Sequence, residues 1–230
     1  MSPHNGELHE VPRDPLTNAP ASTPLILVRH ASSVRAKIGI WGRRFDAPLA
    51  VGFEHQLTES RSKLGSLHNP IIFSSPMKRC IQTANYLFPN RFIHVVDGLK
   101  AYHSGILEDV TEEYLREHHP NYMSSSFRDR FLRPSYGEES MADQAIRVAG
   151  GLLLVLKEQR TLGNCTDVGA SVIFAHYSTI NIIAHIVSRN FSTDTYADGV
   201  YDLQEGAFIR FEMDPATAAS DIREHFRLAS

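Results

Sequence analysis

Short apolar runs alternate with amphipathic segments along most of this chain. The runs with the length and composition of buried strands are residues 25–28, 71–73, 92–96 and 171–175, followed late in the chain by 200–203 and 207–211. Such alternation is typical of parallel strands joined by right-handed helical crossovers. The pattern therefore predicts an α/β fold, a three-layer α/β/α sandwich with a mainly parallel central sheet, as a single domain over residues 24–230.

Helical spacing of apolar residues follows the strand-like runs. It predicts helices over residues 52–67, 77–87, 111–119 and 139–160, after residue 176, and in the tail from residue 215. Residues 121–135 have no clean period, and we expect them to form an insertion covering the carboxyl edge of the sheet. Residues 1–23 are polar and contain four prolines, which predicts a tail without its own fold, disordered or lying loosely on the surface.

Composition narrows the possible partners. The chain is 42% hydrophobic and 21% charged, which is ordinary for a soluble globular protein. A formal net charge of −3 argues against a nucleic-acid partner, and no apolar run reaches the ~20 residues of a membrane span. Cys80 and Cys165 form neither a disulfide framework nor a metal motif, so we expect a reducing, cytoplasmic location.

Candidate chemistry lies where the strand-like runs end. Arg29 and His30 follow the first run directly, and His176 follows a later one. Ligands of open α/β sheets bind at the carboxyl ends of the strands. Arginine offers planar donors to phosphate, and histidine is a nucleophile or proton carrier. For the first pair alone, a strand-capping histidine beside a surface arginine is an equally good explanation, but the second histidine favours a shared site.

A third strand end adds another cation. Ser74-Ser75-Pro76 follows the run at 71–73 and leads into a predicted helix whose first turn contains Arg79. The N-terminus of a helix presents unpaired N–H groups and a positive dipole end to an anion. The chain has no Gly-rich dinucleotide or P-loop motif, no His-Glu-x-x-His and no Gly-x-Ser-x-Gly. Dinucleotide-binding, P-loop nucleotide-binding, zinc-protease and serine-hydrolase functions thus lose their main support, and the three strand ends together favour a phosphate site.

These motifs, together with the 137–147 segment beginning Gly-Glu-Glu-Ser, resemble the histidine phosphatase superfamily, in its phosphoglycerate-mutase-like branch, over residues 24–211. The resemblance implies phosphoryl transfer through a phosphohistidine, without metal or cofactor. His30 would be the nucleophile, and Arg29, Arg79 and His176 would bind the non-bridging phosphoryl oxygens. Preorganised cations of this kind stabilise the charge that spreads over those oxygens.

The chain departs from the family pattern at three positions. Ala31 and Tyr177 replace the glycines after the two histidines, and Tyr177 would narrow the pocket or supply a hydroxyl to the substrate. Ala101 stands where members of the branch often have the glutamate that protonates the leaving group. Loss of a general acid slows catalysis by about 10²–10⁴-fold.

Three explanations of Ala101 stay open. A neighbouring group takes over, with Glu108 as the favoured substitute and Asp109 or His103 as alternatives; the substrate has a good leaving group; or catalysis is impaired. Glu108 has an equally good structural explanation as a carboxylate at the start of the helix predicted from Thr111.

The loop after the first strand bears on the substrate. Ser33 is kept from the family pattern, and Arg43 and Arg44 are candidate substrate-binding cations, although each is equally well explained as part of a solvated loop. Ala36 and the run at 40–44 differ from the residues with which the mutases of the family grip phosphoglycerate. This difference argues against a phosphoglycerate mutase.

The sequence therefore predicts a phosphomonoester phosphatase that acts on a small phosphorylated metabolite through His30. The alternative is a phospho-ligand-binding protein of the same fold that turns over slowly or not at all. Neither the substrate nor the oligomeric state follows from the sequence.

Overall fold

A computed structural model of the chain describes residues 23–36, 38–163, 168–192, 196 and 201–228, so nearly all of the predicted N-terminal tail lies outside the described part. Five strands form one sheet: β1 Thr23–Arg29, β2 Pro70–Ser74, β3 Ile93–Val95, β4 Ala170–Ala175 and β5 Phe208–Met213. Their order is β3-β2-β4-β1-β5, with β5 antiparallel to β1 and the other neighbours parallel. This sheet confirms the predicted mainly parallel α/β fold.

Eight α-helices lie in the described residues. They are α1 Thr58–Leu64, α2 Lys78–Leu87, α3 Glu112–His118, α4 Pro120–Ser124, α5 Phe127–Leu132, α6 Met141–Gly163, α7 Tyr177–Val187 and α8 Pro215–Phe226. None of them has the length and apolar character that crossing a bilayer requires. The region 121–135, which has no clean period, contains α5 and most of α4. Pro120 both follows the end of α3 and opens α4, because the first turn of a helix does not need its missing N–H.

Apolar side chains cover both faces of the sheet. Leu25 and Leu27 of β1 pack into the cluster formed by α6, α7 and α8. Ile26 and Val28 point to the other face and join the cluster formed by α1 and α2. All four side chains are buried, which explains why β1 is a continuous apolar run rather than an alternating one. The helices thus form the two outer layers of the predicted sandwich.

The predicted strand at 200–203 is wrong in the described residues 201–203, which form no ladder, whereas Val200 lies outside the described part. Side chains form hydrogen bonds with the backbone groups that a strand would pair with its neighbour. Asn181 donates to the carbonyl of Tyr201 at 3.1 Å and accepts from its N–H at 2.9 Å. Arg29 donates to the carbonyl of Leu203 at 2.7 Å. An apolar run alone does not reveal such side-chain competition for the backbone.

The middle of α6 touches the loop after β3. Gly98 and Gly151 meet backbone to backbone, and a Cβ at Gly98 would lie 2.8 Å from the Cα of Gly151. Arg147, one turn earlier, donates to the carbonyls of Gly98 and Lys100 at 2.8 and 3.1 Å. The glycines that interrupt the helical pattern therefore fix the loop that runs towards Ala101.

This contact makes Gly98→Ala destabilising. The added Cβ meets backbone atoms that cannot rotate away, and overpacking of this kind costs about 1–3 kcal/mol in the free energy of unfolding. Gly150→Ala is the matched control, since a Cβ there meets no atom within 4 Å and alanine favours the helix by about 0.5–1 kcal/mol. Urea unfolding of both variants tests the contact, and equal stability of the two would contradict it.

Candidate active site

Two histidines emerge side by side at the carboxyl edge of the sheet. β1 and β4 are parallel neighbours with Arg29 opposite Ala175, so the next residue of each strand, His30 and His176, projects beyond the same edge. Their ring centroids are 5.2 Å apart. Both line a cavity of about 420 Å³, whose lining consists of Arg29, His30, Ser33, Arg35, Arg43, Arg79, Ala101, Tyr102, His176, Tyr177, Ser178 and Glu205.

Hydrogen bonds fix the tautomer of His30. The guanidinium of Arg79 can only donate, so Nε2 of His30 accepts from its Nε at 3.2 Å. Nδ1 of His30 then carries the proton and donates to the carbonyl of Ala31 at 2.7 Å. The hydroxyl of Thr83 accepts from the N–H of Ala31 at 3.1 Å and holds this peptide in place. The lone pair of Nε2 therefore faces the cationic side of the cavity.

Arg79 joins the two histidines. It lies in the first turn of α2 and is buried. Besides the bond to His30, its Nη2 donates to Nδ1 of His176 at 3.3 Å and to the carbonyl of Arg43 at 2.8 Å. Its Nη1 donates to the carbonyl of Phe45 at 3.0 Å. One guanidinium thus connects both histidines with the loop at 43–45.

Both imidazoles are held neutral. Burial is the main cause and the charge of Arg79 the next, and together they lower the pKa of His30 to about 3. The same two effects hold the pKa of His176 well below its usual range. Nδ1 of His176 accepts from Arg79, so its Nε2–H donates to the hydroxyl of Ser75 at 2.9 Å. A neutral His30 keeps Nε2 unprotonated, and its lone pair becomes available to a nucleophilic attack once Arg79 gives up its hydrogen bond to it.

Arg29 closes the cavity on the side of β5. Its Nη2 lies 3.7 Å from Oε1 of Glu205, and its guanidinium lies 5.3 Å from the ring centre of Tyr177. Burial lowers the pKa of Arg29, an effect that the charge of Glu205 opposes. Among the described residues that line the cavity, Glu205 is the only carboxylate.

The loop after β1 supplies two further arginines. Nη1 of Arg35 donates to the carbonyls of Ile40 and Trp41 at 3.1 and 2.8 Å. Arg43 makes no such contact within the described part of the chain, although its side chain is accessible from the cavity. Desolvation by the surrounding protein and, after it, the charge of Arg35 lower the pKa of Arg43 to about 10, so the group stays protonated at neutral pH.

Glu108 and Arg44 do not line the cavity. Oε1 of Glu108 accepts from the N–H of Ser104 at 2.6 Å, and Oε2 accepts from the N–H of Arg44 at 3.1 Å. The side chain of Arg44 donates to the carbonyl of Ala101 at 3.1 Å and lies 3.6 Å from Glu139. This geometry gives Glu108 and Arg44 positions behind the cavity wall, where they hold the loops. Ala101 itself lines the cavity and leaves that wall without a carboxylate.

Three lining residues were not candidates from the sequence: Tyr102, Ser178 and Glu205. Arg35, which also lines the cavity, lies in the same arginine-rich loop as the candidates Arg43 and Arg44. Ser178 follows His176 closely, and Tyr102 follows Ala101, so proximity to the motifs is a usable signal. Glu205 needs the strand order, because β5 is antiparallel to β1 and therefore begins where β1 ends.

The charge balance of the cavity favours an anion. Four arginines line it against a single glutamate, although the whole chain has a formal net charge of −3. Within the described residues there is no group of three or more histidine, cysteine, aspartate or glutamate side chains placed to hold a metal. The N-terminus of α7, which begins at Tyr177, adds its dipole to the same cavity. The arrangement suits a phosphate group that is stabilised by arginines.

Comparison with known structures shows the same fold elsewhere. A mycobacterial glucosyl-3-phosphoglycerate phosphatase is 17% identical over 82% of this chain and 89% of that chain, with a TM-score of 0.68. Its complex with inorganic phosphate is 18% identical over 82% and 89%, with a TM-score of 0.65. A phosphoserine phosphatase of Entamoeba histolytica, in complex with 3-phosphoglyceric acid, is 22% identical over 82% and 90%, with a TM-score of 0.61.

A comparison with curated protein sequences gave no match. A family model, in contrast, matches residues 25–214, which includes all five strands after the first two residues of β1 and every lining residue of the cavity. The match covers most of the chain and agrees with the resemblance found in the motifs. The chain belongs to the histidine phosphatase superfamily, branch 1.

Proposed function

We propose that this protein hydrolyses a small phosphomonoester through a phosphohistidine on His30, without a metal ion. The observation that carries the proposal is the unprotonated Nε2 of His30, which lies 3.2 Å from the guanidinium of Arg79 in a cavity lined by four arginines. Cationic donors that are already in place stabilise a transferring phosphoryl group without reorganisation. The phosphatase names of the structural neighbours support the same reaction.

The reaction has two steps. In the first, Nε2 of His30 attacks phosphorus and the ester P–O bond breaks, so that the phosphoryl group moves to the ring and the leaving oxygen takes up a proton. In the second, water attacks the phosphohistidine, which releases inorganic phosphate and restores His30. Arg29 and Arg79 bind the non-bridging oxygens in both steps, and Arg79 gives up its bond to Nε2 of His30 as the phosphoryl group arrives.

The role of His176 depends on which of its ring nitrogens carries the proton. Its Nδ1 accepts from Arg79 and its Nε2–H donates to Ser75, so in this geometry it positions the guanidinium. Binding a phosphoryl oxygen, the role that the family resemblance implies, needs the other tautomer with the proton on Nδ1. Displacement of Arg79 towards the phosphate would allow that change. The role of His176 in binding therefore stays a prediction.

A phospho-ligand-binding protein is the second candidate. The observation in its favour is Ala101, which leaves the cavity wall without a carboxylate at the position where the family often has its acid. This candidate uses the same arginines to bind a phosphate ester but has no turnover that depends on His30. Hydrolysis by the wild-type protein and by variants separates the two.

We expect His30→Ala to lower phosphate release from p-nitrophenyl phosphate by about a thousandfold or more, because it removes the nucleophile. His55→Ala, which changes an exposed histidine that does not line the cavity, is the control and should keep the wild-type rate. Titration calorimetry with inorganic phosphate shows whether the cavity stays intact in the inactive variant. Binding of phosphate without any His30-dependent release would favour the second candidate.

The neutral state of His30 predicts a pH dependence of stability. Its pKa is about 3 in the fold and ordinarily 6.5, so between these values the unfolded chain binds a proton that the folded chain does not. The free energy of unfolding should fall as the pH is lowered from 6.5, and His30 contributes about 1.4 kcal/mol per pH unit. In His30→Asn the slope measured by urea unfolding without phosphate should be shallower by about that amount. Equal slopes would mean that His30 titrates normally in the fold.

Arg43 points to the class of substrate. It is accessible from the cavity, no carboxylate is among the charges that shift its pKa, and its main neighbours are the cations Arg35 and Arg130. Its backbone is well fixed, since its carbonyl accepts from Arg79 and a Cβ at Gly42 would lie 2.9 Å from the N–H of Asp109. The cavity of about 420 Å³ is within the range of small-molecule sites, about 300–1,000 Å³, so it has room for the rest of a small substrate beside the phosphate group. Arg43 therefore suits a second anionic group on the substrate.

Arg43→Met tests this role while keeping the apolar stem of the side chain. We expect kcat/KM for 3-phosphoglycerate to fall by about ten- to a hundredfold, the usual effect of losing a charged hydrogen bond, and kcat/KM for glycerol 3-phosphate to stay nearly constant. The two substrates differ by a carboxylate in place of a hydroxymethyl group. Arg44→Met, outside the cavity lining, should leave their ratio unchanged. Equal losses for both substrates would place Arg43 on the transferred phosphoryl group instead.

A further inference from the structure

The cavity lacks a proton donor at the position where the family resemblance places one. Ala101 stands there and lines the cavity with a methyl group. Glu108, the substitute favoured from the sequence, has both carboxylate oxygens on backbone N–H groups behind the wall. Expulsion of an unprotonated alkoxide is slow, so efficient hydrolysis of an alkyl phosphate needs a proton from another group in the cavity.

The turn before β5 brings a carboxylate to the cavity that His30 also lines. The N–H of Gly206 donates to the carbonyls of Arg29 and His30 at 3.1 and 3.3 Å. The carbonyl of Gly206 accepts from the hydroxyl of Ser60 at 2.6 Å, which fixes the turn on its other side. Gly206 has a φ of +82°, a conformation that glycine adopts without strain. Glu205, the preceding residue, is therefore held by the same peptide groups that carry His30.

The side chain of Glu205 is accessible from the cavity. It lines the cavity and is 31% exposed, so a ligand in the cavity can reach it. Its Oε1 lies 3.7 Å from Nη2 of Arg29, which is longer than a hydrogen bond, and no hydrogen bond holds its side chain within the described part of the molecule. Unlike the carboxylate of Glu108, this one is free to turn towards a substrate.

The other lining groups that hold protons are less suitable. Tyr102 is buried, and burial raises the pKa of its hydroxyl above the usual range, which makes it a weaker acid. Tyr177 packs against the guanidinium of Arg29, and the hydroxyls of Ser33 and Ser178 are poor acids at neutral pH.

We propose that Glu205 is the general acid and base of the reaction, in place of the carboxylate that Ala101 lacks. In the first step its carboxyl proton moves to the leaving oxygen as the P–O bond breaks and the N–P bond to His30 forms. In the second step its carboxylate takes a proton from the attacking water, as the N–P bond breaks and phosphate leaves. This proton restores the carboxyl group for the next turnover. The assignment rests on the proposed function, and it makes Glu205 a catalytic residue.

The test compares leaving groups. The first turnover of Glu205→Gln, followed by rapid mixing, should be slower than wild type by about 10²–10⁴-fold for glycerol 3-phosphate, whose alkoxide needs a proton. For p-nitrophenyl phosphate, whose leaving group needs little acid help, the first turnover should stay within about tenfold of wild type. Asp202→Asn is the matched control. The charge of Asp202, like that of Glu205, raises the pKa of Arg29, but Asp202 is exposed and does not line the cavity. It should behave as wild type with both substrates.

A second variant guards against a merely structural effect of the substitution. Ala101→Glu in the Glu205→Gln background places a carboxyl group on another wall of the same cavity, and we expect it to restore part of the rate with glycerol 3-phosphate. Equal losses for the two substrates in Glu205→Gln, or no loss for either, would overturn the assignment. A leaving-group effect found in Tyr177→Phe and not in Glu205→Gln would overturn it as well. If wild type hydrolysed neither substrate, the proposed function itself would fail, which is a distinguishable result.

Discussion

The buried guanidinium of Arg79 is the interaction on which the site depends. It donates to both histidine rings and to the carbonyls of Arg43 and Phe45, so the end of β1, the end of β4 and the loop after β1 meet on one side chain. Its charge adds to the effect of burial in keeping His30 and His176 neutral. A neutral nucleophile beside a permanent cation is the arrangement that attack on a phosphate dianion requires.

The remainder of the structure holds this arrangement in place. The sheet fixes His30 and His176 because β1 and β4 are parallel neighbours in register. Thr83 fixes the peptide of Ala31, to which the His30 ring donates, and its hydroxyl donates to the carbonyl of Arg79 at 2.7 Å. These contacts join protein groups of the sheet, α2 and the loop after β1, so the fold itself holds the side chains that line the cavity. Preorganisation of this kind is what lowers the barrier to phosphoryl transfer.

Much of the fold and the centre of the site could be predicted from the sequence. Buried strands are continuous apolar runs, and parallel strands place their carboxyl ends at one edge, which is why Arg29, His30 and His176 could be assigned to a single site. The predicted strand at 200–203 did not form in its described residues, because side chains such as that of Asn181 take up its backbone groups.

Other parts of the site could not be predicted, because they depend on how loops fold back. Sequence proximity favoured Glu108, yet its oxygens are used by two backbone N–H groups, which only the folded loops bring to it. Glu205 is far from every motif in sequence and reaches the cavity only because β5 runs antiparallel to β1. The environment of Arg43 could not be predicted either, because only the folded loop shows that its side chain has no hydrogen-bond acceptor or carboxylate partner among the described residues.

The central claim is that the phosphoryl group passes through Nε2 of His30. Mixing the protein with a phosphomonoester, quenching in alkali within the first turnover and mapping the modified peptide by mass spectrometry tests it most directly. A phosphohistidine at His30, lost when the quenched protein is acidified and absent in His30→Ala, is the expected result. Phosphate release without any phosphorylated His30 peptide, or phosphorylation at another residue, would contradict the account.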